Sequence, residues 1–219
     1  MRGADPFEER AAQYDAWYDT PRGRRLFDAE VSCLAPLLVE GSPRLEVGVG
    51  SGRFAAALGV ECGFDLAPAA VALAARRGVH VAVGDAESLP FAAGRFAAVL
   101  VVATLCFVEK PARALEEAHR VLAPGGRIVL ATIARDSELG ERYEVLARAG
   151  HPFYSRARFQ SVAAHVALLD AAGFDLVAAR STLLTGTTPG LAREGVVPGA
   201  GFVALAGVAS RHQHRQRGE

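Results

Sequence analysis

The chain has 219 residues, 51% of them hydrophobic, with 24 Lys and Arg against 24 Asp and Glu. That is enough apolar sequence for one domain with a sizeable core and too much for a disordered segment. The even charge balance excludes the broad positive field of a nucleic-acid binder, and three scattered cysteines (Cys33, Cys62, Cys106) with no CxxC pair argue against a zinc site or a disulfide framework and fit a reducing cytosol.

In chain order, "DPFEERAAQYDAWYD" (5–19) reads as a helix capped by Asp5 with Pro6 in its first turn. After Thr20-Pro21 a second helix runs to about Leu38, and Gly41-Ser42-Pro43 turns the chain into a short strand, Arg44–Val47. A helix over 52–58, a strand over 60–65, a helix over 68–77 and a strand over 79–83 follow. The fourth strand, "FAAVLVV" (96–102), is apolar throughout, as parallel strands covered on both faces are. A helix over 111–122 ends at "APGG", and "RIVLATI" (127–133) is the fifth strand. This alternation predicts an α/β fold with a doubly wound, Rossmann-like parallel sheet.

Residues 136–158 break the rhythm, with "GHPFY" near their end, and read as a lid-like insertion. A helix over 159–174 follows. Two strands, about 174–184 and 201–209, are too closely joined for a crossover and should pair as an antiparallel hairpin at the sheet edge. The expectation is one domain over 1–210 with a helical cover at 1–38, and a disordered tail at 211–219. No secretory leader opens the chain and no run of about 18 apolar residues marks a membrane span, so a cytoplasmic protein without membrane contacts is expected.

The chemistry is concentrated at "EVGVGSG". In α/β sheets, ligands sit beyond the carboxyl ends of the strands. Gly48, Gly50 and Gly52 fall there, where a bare backbone can turn sharply and approach a ligand. Asp65 ends the second strand, where a carboxylate accepts from the two ribose hydroxyls of a nucleotide. The plainer reading is a helix cap, since "DLAP" opens a helix, and both roles can coexist. Leu66 is placed to lie against an adenine face. Asp85 in "GDAESLPF" is placed to accept from an adenine amino group, with the Ala86 N–H donating to the ring; an Asx-type turn is the alternative.

"LEVGVGSG", "GFDLAP", "GDAESLPF", "RFAAVLVVATLCFV" and "EEAHRVLAPGGRIVLATI" together resemble class I S-adenosylmethionine-dependent methyltransferases over about residues 40–135. The resemblance implies a seven-stranded sheet in the order 3-2-1-4-5-7-6 with strand 7 antiparallel, and S-adenosylmethionine as cofactor. It places Glu46 and the Gly48 backbone near the methionine moiety, Asp65 on ribose, and Asp85 with Ala86 on adenine. Tyr14 on the covering helix and Ala103 after the fourth strand join the cofactor-side residues. Two departures from the family pattern matter. Ala97 stands where an aspartate is usual. Cys106-Phe107 stand where many members carry histidine, so a base at that point is missing.

Methyl transfer from a sulfonium is an in-line displacement that requires alignment and exclusion of water, and a base only where the nucleophile arrives protonated. On the acceptor side the candidates are Tyr14 and Tyr18, one turn apart on one helix face, with Phe107 and His151. His151 is a candidate base and Cys106 a candidate reactive thiol, against the plainer readings of a surface histidine and a small buried hydrophobe. Trp17 reads as core; His119 and His165 read as structural. The activity read from the sequence is methyl transfer to a small molecule. A nicotinamide-dependent oxidoreductase is the rival, but Arg53 stands where GxGxxG needs its third glycine, and Lys110 is the one lysine, in no Tyr-x-x-x-Lys pair. A methyltransferase-like binding protein without activity is the third reading.

Overall fold

The computed structural model describes residues 5–184 and 191–210; the expected tail at 211–219 lies outside the described residues. Eight strands form one sheet in the order β3-β2-β1-β4-β5-β8-β6-β7. These are β1 (Arg44–Val47), β2 (Cys62–Asp65), β3 (His80–Val83), β4 (Phe96–Val102), β5 (Leu122–Ile133), β6 (Phe174–Thr182), β7 (Arg193–Glu194) and β8 (Phe202–Ala209). β1 to β5 are parallel, and β8 inserts antiparallel between β5 and β6. The expected order therefore holds with one addition. The two-residue β7, in the connection between the hairpin strands, pairs with the outer edge of β6 and raises the strand count from seven to eight.

Alternation along the strands divides the core into two layers. Val99 and Val101 of β4 pack with Leu45, Ile128 and Leu130 against α6 (Pro111–Val121) and α8 (Val162–Ala171). Ala98, Leu100 and Val102 face the other way, with Val129 and Ala131, onto α3 (Pro21–Leu34), α4 (Arg53–Leu58) and α5 (Pro68–Arg76). Side chains that alternate faces and are apolar on both produce this two-sided burial.

Three elements differ from the sequence reading. The first helix is broken at Arg10 into α1 (Pro6–Glu9) and α2 (Ala11–Trp17), and both pieces pack on α5. Asp5 caps the first by accepting the Phe7 N–H at 3.0 Å. β5 begins at Leu122, ahead of "APGG", because Leu122 pairs with Phe96 before the register shifts to Arg127 opposite Ala98. Most of 136–158 is helical: α7 (Glu138–Arg148), capped by Ser137, which accepts the Gly140 N–H at 3.0 Å, then a single turn at Tyr154–Arg156. Gly140 masks this helix in the sequence. It is needed because a Cβ there would drive into the Ala134 carbonyl, where α7 starts against the end of β5.

Trp17, expected in the core, is 36% exposed and packs its ring on Tyr18. His165 is buried with its Nδ1 3.0 Å from the Ser161 carbonyl oxygen, and His119 packs on Phe174; both are structural as expected. Among the described residues no helix is long and apolar enough to cross a membrane.

Candidate active site

A cavity of about 710 Å³ opens at the carboxyl ends of β1, β2 and β4, within the usual range for small-molecule sites. Its floor is the turn from Gly48 to Ser51. Gly48 donates to the Phe64 carbonyl at 2.7 Å and has φ +76°, and a Cβ on it would drive into Thr104. Only glycine meets both demands. The Gly50 N–H donates to Asp65 Oδ2 at 2.8 Å, and the Ala67 N–H donates to Oδ1 at 3.0 Å. Asp65 thus ties the glycine turn to Ala67 while still lining the cavity; Ala67, not Asp65 as the capping reading had it, is the N-cap of α5, and no side chain caps that helix. Burial pushes its carboxyl up, and the Ala67 and Gly50 N–H groups work against that shift.

Glu46 is 1% exposed and lines the same floor. Burial drives its carboxyl well above the ordinary range, with partial relief from the Ala55 N–H; its Oε2 is buried with no hydrogen-bond partner. An orphaned buried carboxylate oxygen costs free energy unless a ligand donates to it. Ala103 lines the cavity at φ +48°, a conformation side chains rarely adopt. Leu66 stands 52% exposed at the mouth. Asp85 and Ala86 also line the cavity, and the Asp85 carboxylate accepts the Glu87 N–H at 3.0 Å, the Asx-type turn weighed above.

The opposite wall is aromatic and comes from the N-terminal helices. Tyr14 packs edge-on to Phe7 (5.3 Å between ring centres) and Tyr18 (5.7 Å) and tilts against Phe153 (5.1 Å), while Phe7 also meets Phe107 at 4.9 Å. The Tyr14 and Tyr18 hydroxyls are 3.3 Å apart. Burial raises both phenols, Tyr14 to about 12, so both remain protonated.

An ion cluster latches this wall to the glycine turn. Asp15 of α2 accepts from Arg53 Nε at 2.7 Å and from an Arg77 terminal nitrogen at 2.9 Å, and Asp19 accepts from Arg53 at 2.9 Å. Arg77 also donates to the Ser51 carbonyl at 2.8 Å, and the Arg53 guanidinium lies 5.5 Å from the Tyr18 ring centre. Burial opposes ionisation of Asp15, but hydrogen bonds from Arg53, Ser51 and Arg77 outweigh it and hold the carboxyl at about 2.

Three sequence candidates do not reach the cavity wall. Gly52 packs against Ala74 of α5 instead. Cys106 reaches the Ala103 carbonyl at 3.5 Å, and burial pushes its thiol up to about 12, which leaves it protonated and unreactive at neutral pH. His151 stacks on Tyr154 at 4.5 Å, and its Nδ1 is buried without a partner. Phe7, the Asp15–Arg53–Arg77 cluster and Glu30 were missed by the sequence reading. Glu30 alone left a signal, a charge between Phe27 and Leu34 on the buried stripe of a helix.

The chemistry of the lining is lopsided. Seven carboxylates line the cavity against three arginines, Arg53, Arg156 and Arg158. Such a site favours a cationic occupant. No histidine lines it among the described residues.

Comparison with known proteins agrees. The family model of a methyltransferase domain matches residues 45–130. An uncharacterised protein of Mycobacterium tuberculosis is 44% identical over 211 residues, covering 93% of this chain and 73% of its own. An uncharacterised protein of Methanocaldococcus jannaschii is 34% identical, covering 81% and 84%. Among solved structures, a SAM-dependent methyltransferase of Thermotoga maritima, a "possible histamine N-methyltransferase", is 34% identical with a TM-score of 0.86, covering 94% of this chain and 99% of its own.

Proposed function

The chain belongs to the class I S-adenosylmethionine-dependent methyltransferases, and from that premise we propose that it methylates a small molecule held at the aromatic end of its cavity. S-adenosylmethionine is the cofactor, and the residues fit it. The orphaned Glu46 oxygen and the excess of carboxylates suit a cationic ligand, and the Gly50 backbone lies open beside them. In this reading Glu46 and Gly48 hold the methionine portion, with Gly50, Tyr14 and Ala103 bordering it. Asp65 accepts from the ribose hydroxyls, and Leu66, Asp85 and Ala86 surround the adenine.

When bound, the cofactor supplies a methyl group on positively charged sulfur, open to in-line displacement. The protein's part is to orient the acceptor and exclude water. Tyr14, Tyr18, Phe7 and Phe107 provide a rigid apolar wall for that purpose. Residues 5–19, latched through Asp15, and the segment 136–158, which contributes Arg156 and Arg158 to the lining and packs Phe153 on Tyr14, border the cavity as covers, so a small acceptor fits better than a macromolecule. Cys106, as a protonated thiol off the wall, and His151, stacked away from it, are not needed as nucleophile or base.

The observation that carries this reading is the joining, in one cavity, of the unpartnered Glu46 oxygen at the end of β1, beside the glycine turn, with an aromatic wall. Calorimetric titration with S-adenosylhomocysteine and with NAD tests the cofactor side. Saturable binding of the first and none of the second is expected. The reverse would sink the assignment. Turnover of the cofactor against a panel of amines, thiols, phenols and carboxylates then tests the acceptor class. Methylation of a protein or nucleic acid in place of any small molecule would refute the acceptor half.

A further inference from the structure

One carboxylate joins the N-terminal cover to the glycine turn. Neither Asp15 of α2 nor Arg77, the C-cap of α5, lines the cavity. Arg77 nevertheless reaches the turn. One of its terminal nitrogens donates to the Ser51 carbonyl at 2.8 Å and the other to Asp15 Oδ2 at 2.9 Å. Ser51 is buried and forms the floor of the cavity next to Gly50. Arg53, which opens α4 just after the turn, donates to both Asp15 oxygens, at 2.7 and 3.2 Å, and to Asp19 at 2.9 Å. The turn is thus flanked by two arginines, both bonded to the same residue of the cover.

The cover is anchored at one end, where Tyr18 packs on Phe27 and Phe54 beside the start of α3. Ahead of Tyr18 the hold is slighter. Where α1 and α2 meet α5, the buried side chains are Ala11, Ala67 and Ala70, with Phe7, Ala69 and Leu73 at the margin. Alanines bury little apolar area, so this contact stabilises weakly for its length. Glu8 adds one hydrogen bond, accepting the Ala69 N–H at 2.7 Å. The ion cluster supplies more bonds than either. Its Asp15, Arg53 and Arg77 side chains are 15%, 17% and 27% exposed, so salt in the solvent competes with it.

We propose that Asp15 and Arg77 are positioning residues for the cofactor, acting through Ser51: the closed cover fixes the glycine turn, and the demethylated cofactor leaves when the Asp15–Arg77 pair opens. This rests on the methyltransferase reading and adds a gate to its cofactor site. Cover and turn are coupled because one planar guanidinium serves both, one nitrogen to each. Without the Asp15 charge the guanidinium is free to turn away from Ser51, and the cover loses its tie to the turn at the same time. By linkage, a ligand that binds better to the ordered turn also holds the cover closed, by the same factor. Trp17, the one tryptophan of the chain, lies on the cover between Asp15 and Asp19 and is partly exposed, so its fluorescence reports the opening.

The test is release of tritiated S-adenosylhomocysteine from the full chain on rapid dilution, with the label followed by filtration and the cover by Trp17 fluorescence. Asp15→Asn and Arg77→Lys should each release the label about tenfold faster than the parent chain, with the fluorescence change at the same rate. Arg77→Lys keeps the charge, and its single ammonium cannot reproduce the two-sided fork, so a purely long-range electrostatic role would leave its release rate unaltered. The double variant should be no faster than the faster single one, because both break the same link. Raising NaCl from about 0.05 M to about 1 M should speed release from the parent chain about threefold or more and leave Asp15→Asn unmoved, since S-adenosylhomocysteine itself carries no net charge. Unchanged release in both single variants, additive effects in the double variant, salt-independent release from the parent chain, or label that leaves ahead of or without the Trp17 change overturns the gate. Should S-adenosylhomocysteine fail to bind the parent chain, the methyltransferase reading falls first; binding with a release rate indifferent to these substitutions defeats the gate alone.

Discussion

Asp15→Asn isolates the latch between α2 and the glycine turn. The Asp15 side chain is 15% exposed and accepts from two arginines. Moving its carboxyl from 3.8 to about 2 corresponds to about 2 kcal/mol. The amide keeps one acceptor oxygen, so the expected loss is about 1–2 kcal/mol, a fall in Tm of about 2–8 °C for a chain of this size. The pH dependence fixes the cause. A carboxyl depressed on folding stabilises fully above its unfolded value and loses that contribution as pH falls through its folded one. The gap between the two proteins should therefore be constant near neutrality and close between about pH 4 and about pH 2. Differential scanning calorimetry across that range measures it. Equal melting temperatures at neutral pH would mean the cluster is energetically idle. A gap that persists at the lowest pH at which both proteins fold would mean the loss is not electrostatic.

Asp65→Ala should weaken S-adenosylhomocysteine binding about ten- to a hundredfold by titration, since it removes charged acceptors and loosens the Gly50 N–H, with the far-UV spectrum unchanged. Gly48→Ala combines a positive φ with a Cβ driven into Thr104, and should cost about 2–4 kcal/mol in denaturant unfolding; a loss below about 0.5 kcal/mol would show that the turn relaxes freely. Deleting residues 1–19 removes Phe7, Tyr14, Tyr18 and Asp15 together; circular dichroism should report a folded sheet while cofactor retention drops and methyl transfer is lost, and full activity in a folded truncation would refute the covering role.

The parallel core of the fold was legible because its signals are local. A strand, a glycine turn and a helix in repeated order leave little topological freedom, and β1 to β4 fall within two residues of their sequence bounds. The floor of the site was legible for the same reason: Glu46, Gly48 and Asp65 each lie within a few residues of a strand end. The aromatic wall was only half legible. Tyr14 and Tyr18 share a face that one helix reveals, but the contacts of Tyr14 with Phe7 and Phe153, and of Phe7 with Phe107, join three segments far apart in sequence. The Asp15–Arg53–Arg77 cluster spans 62 positions, and no pairwise rule of spacing finds it. His151 failed as a positional argument because "GHPFY" was read as a loop reaching inward, whereas stacking with Tyr154 and Tyr143 against α7 turns the ring aside.

Glu46, on the floor of the cavity, keeps its Oε2 buried without a hydrogen-bond partner. A protein selected for stability alone would replace it, since an apolar residue of similar size packs without the desolvation cost. In the proposed reaction the group has a use: a cationic cofactor offsets the burial that raises the Glu46 carboxyl, so that filling the cavity removes a cost the empty site carries.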